Sequence, residues 1–173
     1  MTSPPRRPEP LYTPEQRLRR DATPWTLVQG VLAPLQFVAF AVSLVLVIRT
    51  LMTGAGAEAA AISVVIKTAL LYTIMVTGMI WEKRVFGVYL FAKPFFWEDV
   101  FSMLVLALHA AYLWALFTGA LGVRGQLLLA LAAYAAYVVN AVQFLLKLRA
   151  ARLDEARSKE SAPTGVTAAG GAA

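Results

Sequence analysis

The sequence predicts an all-α integral membrane protein, built as a four-helix bundle. The chain has 173 residues, of which 59% are hydrophobic and 15% are charged, against roughly 45–50% and about 25% in soluble domains. Its mean hydropathy is +0.64. There is no Cys and only one His, which excludes disulfide scaffolds, zinc fingers, thiol catalysis and His-rich metal sites. This composition disfavours both a soluble enzyme and a disordered chain.

Four apolar stretches define the predicted helices. Trp25 to Ile48 contains no Asp, Glu, Lys or Arg, and neither does Val100 to Val123 or Gly125 to Leu146. Ala59 to Trp81 contains one such residue, Lys67. A helix of about 20 apolar residues crosses the ~30 Å of hydrocarbon in a bilayer. The predicted transmembrane helices are residues 25–48, 59–81, 99–121 and 125–147, within a bundle of residues 25–148.

Two flanking segments complete the predicted organisation. Residues 1–24 form an N-terminal segment, and residues 149–173 form a tail that is predicted to be mostly disordered. Disorder is also predicted for the proline-rich start of the chain, because such a composition cannot bury a core. The prolines of this start are Pro4, Pro5, Pro8 and Pro10.

Positively charged residues predict the orientation in the membrane. Thirteen of the 16 Lys and Arg lie in the two flanks or in the loop between spans two and three, whereas Arg49 and Arg124 lie at the opposite ends of the spans. Because Lys and Arg concentrate on the cytoplasmic side of membrane proteins, both termini are predicted to be cytoplasmic. The net charge of +6 then reflects topology in a lipid bilayer, and no nucleic-acid partner is expected.

Polar side chains at helical spacing predict a binding site inside the bundle. Gln29 and Gln36 are seven residues apart, and Asn140 and Gln143 are three apart, so each pair shares a helix face. Such groups are costly in hydrocarbon and usually face the bundle interior. Most lie in the cytoplasmic half, which predicts a pocket open to that leaflet. The candidate ligand-binding residues are Gln29, Gln36, Lys67, Trp81, Trp97, Ser102, Tyr112, Asn140 and Gln143.

A purely structural interpretation of these residues stays open. Amide and hydroxyl side chains in membrane helices often only join helices by hydrogen bonds. Lys67 could extend toward the periplasmic face, which we favour over a buried role. Trp81 and Trp97 could belong to an interfacial aromatic belt, which the sequence alone favours over a ligand-binding wall.

Three carboxylates and the single histidine are the chemically distinctive groups. Glu98 and Asp99 open span three, where the helix dipole and N-capping favour acidic residues. Glu82 closes span two, where an acidic residue is disfavoured, so its position requires another explanation. His109 lies near mid-membrane and could ligate a metal, relay a proton or bond a hydroxyl group. If the loop between spans two and three folds back on the bundle, the three carboxylates ring one aromatic-walled site.

Four stretches of the chain resemble one known family. They are LYTPEQRLRRDATPWTLVQGVLAPLQF, YTIMVTGMIWEKRVFGVYLFA, PFFWEDVFSMLVLALH and YVVNAVQFLLKLR. Through them the chain resembles the 3-vinyl (bacterio)chlorophyllide hydratases, also named chlorophyllide a 3¹-hydratases, of bacteriochlorophyll biosynthesis. The resemblance covers about Leu11 to Arg152 and assigns no catalytic residue.

This resemblance implies a hydro-lyase that adds water to the C3 vinyl group of chlorophyllide a or 3-vinyl bacteriochlorophyllide. The implied product carries a 3-(1-hydroxyethyl) group. No cofactor is implied, since the magnesium belongs to the substrate, and the protein needs no metal site of its own. The implied location is the bacterial inner, intracytoplasmic photosynthetic membrane, with neighbouring enzymes of bacteriochlorophyll biosynthesis as further partners.

The chemistry of alkene hydration suggests roles for the candidate residues. An acid protonates the terminal CH2 carbon, and water then attacks the ring-attached carbon and loses a proton to a base. Glu82, Glu98 and Asp99 are the candidate acid and base. Glu98 ranks high because it shares a helix face with His109, and Glu82 because it is placed against the helix dipole. Asp99 ranks below them, because it is the better partner for the dipole at the start of span three. His109 is the candidate base for the water or ligand of the substrate magnesium.

Two other classes of function stay open at this point. A non-enzymatic tetrapyrrole-binding or assembly protein of the photosynthetic membrane would use the same pocket, with its carboxylates dispensable. A small transporter or structural four-helix protein would bind no tetrapyrrole.

Overall fold

The structure, a computed structural model, describes residues 11–160, except for the side chains of residue 155 and residues 157–160. Every regular element in that range is helical, which confirms the all-α prediction. The elements are α1 (Pro14–Ala22), α2 (Pro24–Thr53), α3 (Ala57–Phe86), a single 3₁₀ turn (Lys93–Phe95), α4 (Phe96–Thr118) and α5 (Gly122–Glu160). The prolines predicted to be disordered lie outside the described residues.

Four helices are long and apolar enough to cross a membrane, namely α2, α3, α4 with its preceding 3₁₀ turn, and α5. Each overlaps one of the four predicted spans, and most extend beyond them because polar residues at their ends remain helical. In α3, for example, the helix continues through Glu82 and Lys83. It ends where Gly87 adopts a left-handed conformation, with φ 85°, and donates its N–H to the carbonyl of Lys83, a common way for a helix to stop.

The last helix differs from the prediction at its C-terminal end. α5 has 39 residues, so it is about 58 Å long at 1.5 Å per residue, roughly twice the ~30 Å of hydrocarbon in a bilayer. Residues 149–160, which the sequence places in a mostly disordered tail, are helical. The segment contains neither Gly nor Pro and consists largely of residues that favour helices. Residues 161–173 lie outside the described range.

The four long helices form a closed bundle. α2 packs on α3 and α4 packs on α5, while contacts between α2 and α5 and between α3 and α4 complete the ring. Small and β-branched side chains fill its core, which allows membrane helices to approach closely. Fully buried examples are Val47, Ala60, Val64, Val105 and Ala130. Large apolar side chains such as Phe117, which is 79% exposed, lie on the outer surface, as expected where lipid is the surrounding medium.

The bundle has two different ends. One, the turn end, holds the short connections 54–56 and 119–121. The other, the open end, holds α1, the loop 87–92 and the extension of α5. A buried cluster at the open end contains Tyr12, Val85, Phe95 and Ala151, so the start of the described chain, the loop region and α5 meet there.

Candidate active site

Two buried carboxyl groups meet at the open end of the bundle. Glu82 of α3 and Asp99 of α4 are 6% and 4% exposed, and their carboxyl groups lie within hydrogen-bonding distance of each other. Two carboxyl groups can form a hydrogen bond only when one of them carries a proton. Such a pair can hold one proton between its two members.

The loop 87–92 folds back over this pair. The N–H of Phe91 donates to Oδ2 of Asp99 at 2.6 Å, and the N–H of Ala92 donates to Oε2 of Glu82 at 3.4 Å. Phe91 has a φ of 61°, which is uncommon for a large side chain and marks a tight local bend. At this bend two successive backbone amides reach the two carboxyl groups.

Glu98, the third predicted carboxylate, is engaged by Lys147 of α5. The Nζ atom of Lys147 lies 2.9 Å from Oε1 and 3.0 Å from Oε2 of Glu98, and it also donates to the carbonyl oxygen of Pro94. The expectation that three carboxylates ring one site is therefore met only for two. Asp99, rather than Glu98, accompanies Glu82, because adjacent residues point about 100° apart around α4, one toward α3 and the other toward α5.

A packed set of aromatic rings lies at the same end. The centroids of Trp81, Phe86 and Phe95 are 5.7–5.8 Å apart, and the rings of Tyr12 and Phe144 contact this group. These rings come from the segment before α1, from α3, from the 3₁₀ turn and from α5. Trp81 is thus part of the packed interior of the open end.

A second set of aromatic residues lies on the surface. Trp97 is 66% exposed and contacts the ring of Phe96, with centroids 5.5 Å apart. Tyr89 is similarly exposed. The structure therefore separates Trp97 from Trp81, although the sequence predicts one role for both. An outward position at the end of a span is typical of an aromatic belt.

One turn further into the bundle lies a layer of polar side chains. The Nδ2 atom of Asn140 donates to Oγ of Ser102 at 2.9 Å, which joins α5 to α4. Gln36 of α2 is 2% exposed. Neither polar atom of its side chain has a hydrogen-bond partner within residues 11–160, and the same holds for the side-chain oxygens of Asn140 and Gln143. Buried polar atoms are nearly always paired, so these unpaired atoms are unusual. They give this layer unused hydrogen-bonding capacity.

Gln29, in contrast, has a structural role. Its Nε2 atom donates to Oγ1 of Thr77 at 2.7 Å and to the carbonyl oxygen of Ile74 at 3.4 Å. A Cβ at Gly78 would lie 3.8 Å from the same amide, so α3 closely approaches this side chain. Gln29 joins α2 to α3.

Lys67 and His109 form a hydrogen-bonded pair in the bundle core. Both are fully buried, and Nζ of Lys67 lies 2.8 Å from Nε2 of His109. The amine also lies 4.2 Å from the centre of the Tyr137 ring. The prediction that Lys67 extends to the periplasmic face is therefore wrong, because the histidine and the aromatic ring hold its amine inside. Tyr112 is 1% exposed and belongs to the same core.

Both ring nitrogens of His109 are occupied by the protein. Nδ1 lies 2.8 Å from the carbonyl oxygen of Val105, to which only a protonated nitrogen can donate. Nε2 is then the acceptor for the amine of Lys67. With these two bonds in place, His109 offers no free nitrogen to a magnesium ion or to a water molecule.

Several contacts of this region are not predicted from the sequence. Lys147 lies seven residues after Asn140 and therefore on the same helix face, a signal that indicates an inward direction. The hydroxyl of Tyr134 lies 2.5 Å from Oγ of Ser43, and a tyrosine in an alanine-rich stretch is a weak signal. The amides of Phe91 and Ala92 carry no signal, because nearly every residue has a backbone N–H.

Comparison with known proteins places these features in a family. The model of the 2-vinyl bacteriochlorophyllide hydratase family matches residues 12–150. The chain is 72% identical over 146 residues to the 2-vinyl bacteriochlorophyllide hydratase of Rhodobacter capsulatus, covering 84% of this chain and 85% of that protein. It is 70% identical over 145 residues to the enzyme of the same name from Cereibacter sphaeroides, covering 83% and 89%. No solved structure matches.

The two numbers used for the vinyl group refer to one substituent, which older ring numbering places at position 2 and current numbering at position 3. The resemblance found in the sequence is thereby confirmed. Since the family model spans nearly all of the described residues and the similarity to two curated members is high, the chain belongs to the 2-vinyl bacteriochlorophyllide hydratase family.

Proposed function

We propose that this protein is a hydratase that adds water to the C3 vinyl group of chlorophyllide a or 3-vinyl bacteriochlorophyllide. The relatives are named for the hydration of the corresponding bacteriochlorophyllide. Within the structure, the supporting observation is the buried pair of Glu82 and Asp99. Hydration of an alkene requires an acid and a base, and this pair supplies both next to each other.

The first step of the proposed reaction is protonation of carbon. The π electrons of the vinyl group take a proton from the un-ionised carboxyl group and form a C–H bond at the terminal carbon. The positive charge then resides on the ring-attached carbon and is delocalised into the macrocycle. The backbone N–H of Phe91 lies 2.6 Å from Asp99, whereas the N–H of Ala92 lies 3.4 Å from Glu82. Because hydrogen bonds to ionised groups are shorter, we assign Asp99 as the ionised partner and Glu82 as the acid.

The second step is capture of the cation by water. A lone pair of the water oxygen forms the C–O bond, and the surplus proton passes to the carboxylate of Asp99. Redistribution of that proton within the pair returns Glu82 to its acidic form. The step consumes one water molecule and leaves the protein unchanged, so neither a reductant nor an oxidant is required.

The remaining predicted residues divide between two roles in this proposal. We retain Gln36, Ser102, Asn140 and Gln143 as candidates for contact with the reactants, because they lie in the polar layer next to the carboxyl pair. Lys67, His109 and Tyr112 stabilise the bundle core. Glu98 forms an ion pair that joins α4 to α5.

The proposed location is the photosynthetic inner membrane, with both termini in the cytoplasm. An even number of spans and the strong excess of Lys and Arg on one side support this orientation. We expect topology reporters fused at residues 2 and 173 both to report the cytoplasm, and a reporter inserted in the turn 119–121 to report the opposite side. A periplasmic signal at either terminus contradicts the orientation.

Incubation of the purified protein with chlorophyllide a tests the reaction itself. We expect the pigment to gain the mass of one water molecule, together with an absorption shift as the vinyl group leaves the conjugated system. A spectral shift without a change in mass would instead indicate a non-enzymatic tetrapyrrole-binding protein. No change in either quantity would favour a transporter or structural protein.

A further inference from the structure

Buried amide groups without partners lie in the polar layer that contains Ser102, one turn after Asp99 on α4. Both polar atoms of Gln36 and the side-chain oxygen of Asn140 have no hydrogen-bond partner in the described part of the chain, and the two residues are 2% and 8% exposed. An amide group that is buried without a hydrogen-bond partner lowers the stability of the protein by roughly 1–3 kcal/mol. Such groups in native proteins are usually satisfied by bound water.

The register of α2 against α5 places the two amides at the same depth in the bundle. The rings of Phe40 and Tyr137 are 5.0 Å apart, and the two helices run in opposite directions. Gln36 lies one turn before Phe40, and Asn140 lies three residues after Tyr137. Both displacements lead toward the open end by about one turn, so the two side chains lie at the same depth.

This layer connects to the carboxyl pair through Ser102. The hydroxyl of Ser102 accepts from Nδ2 of Asn140 at 2.9 Å. Ser102 follows Asp99 by three residues on α4, a spacing that places side chains next to each other on one helix face. The hydrogen bond between Asn140 and Ser102 thus joins this layer to the turn of α4 that follows Asp99, and Gln36 lies at the same depth.

Building on the proposed hydratase function, we infer that Gln36 and Asn140 bind the water molecule that is added to the vinyl group. The two amide oxygens accept the two O–H groups of the water, which leaves an oxygen lone pair for the cationic carbon. As the C–O bond forms, one O–H group of the water turns from the Asn140 amide to the neighbouring hydroxyl of Ser102. That hydroxyl accepts the surplus proton and passes its own proton to the carboxylate of Asp99. Gln36 and Asn140 are therefore positioning residues for the nucleophile, whereas Glu82 and Asp99 move the protons.

The water site can be tested without substrate. In the full-length protein in detergent, the side-chain N–H₂ signal of Gln36, identified by its loss in Gln36→Met, should show a magnetisation-transfer peak to a long-lived water molecule. Absence of that peak overturns the water site. If the peak is present but wild-type protein leaves chlorophyllide a unhydrated, the water site stands and the hydratase function fails.

Deuterium exchange in D2O then tests the role of this water. Protonation of the vinyl group followed by loss of a proton returns substrate that carries deuterium at its terminal carbon. Without a positioned water, more of the cation follows this route. We expect Gln36→Met and Asn140→Leu to lower hydration on the order of 10²-fold, to raise the ratio of exchange to hydration, and to bring the two epimers of the 1-hydroxyethyl product toward equal amounts.

A matched control separates this effect from loss of folded protein. Gln126 is a partly buried glutamine that donates to the carbonyl oxygens of Ala115 and Ala120 at the turn end. Gln126→Met should leave both the exchange ratio and the epimer ratio at the wild-type values. Wild-type ratios in Gln36→Met and Asn140→Leu as well would show that these amides only join helices, and would overturn the inference.

Discussion

Glu82→Gln and Asp99→Asn should each lower the rate of chlorophyllide hydration by roughly 10²–10⁴. Each amide keeps the shape of the carboxyl group but removes a group that donates or accepts the catalytic proton. Because Asp99 and Glu82 also accept hydrogen bonds from the loop amides, and an amide oxygen can accept the same bonds, substrate affinity should change little. The measurement is the hydration rate and the chlorophyllide affinity of each variant in detergent.

Two further carboxylates make this prediction specific. Glu58 is exposed in the first turn of α3, at the turn end of the bundle, and Glu58→Gln should retain the wild-type rate. Glu98→Gln distinguishes between the two possible companions of Glu82. The helix-face argument selects Glu98, whereas in the structure Glu98 binds Lys147 and Asp99 accompanies Glu82. A large loss of rate in Glu98→Gln, with more than about a tenth of the rate kept in Asp99→Asn, would exclude the proposed pair.

His109→Leu should destabilise the protein by about 3 kcal/mol or more, the usual result of leaving a buried amine without its partner. Lys67→Met should cost less, about 1–3 kcal/mol, because it leaves only a neutral ring nitrogen unpaired. The double variant should recover part of the loss, since neither polar group then remains. Unfolding of the four proteins in a denaturing detergent gives the coupling free energy between the two residues.

Additive effects of these two substitutions would contradict the pairing of Lys67 with His109. The same variants test the alternative role of the histidine. If His109 ligated the substrate magnesium, Lys67→Met would free its Nε2 atom and strengthen chlorophyllide binding, whereas His109→Leu would abolish it. With the role assigned here, the affinities of the folded fractions of both variants stay close to wild type.

The number and position of the membrane helices follow directly from the sequence. Long uncharged stretches leave no other way to satisfy the backbone in hydrocarbon. The extent of α5 is not predictable from hydropathy, because its last three turns are polar and continue by helix propensity alone. Polar residues also mark the interior correctly, as Gln36 and Asn140 show.

The partners of the site residues are less predictable than their burial. The unusual position of Glu82 at a helix end indicates a special role, but the helix-face argument selects Glu98 as its companion. That argument rests on Glu98 and His109 sharing one face of α4. A shared face does not say which neighbouring helix packs against it. In the structure α5 supplies Lys147 to Glu98, and α3 supplies Glu82 to Asp99. Lys67 is misjudged for a related reason, since its partner is 42 residues away in the chain.

The buried cluster at the open end joins segments of the chain that leave the ribosome at different times. Tyr12 and Ala151 belong to this one cluster although they lie 139 residues apart in the chain, so Tyr12 leaves the ribosome long before Ala151. Lys147, the partner of Glu98, also arrives late. The first three spans can enter the membrane with Phe95 still uncovered by α5. The open end is therefore completed only after α5 has been synthesised, so the first three spans lie in the membrane before the buried cluster of the open end is closed.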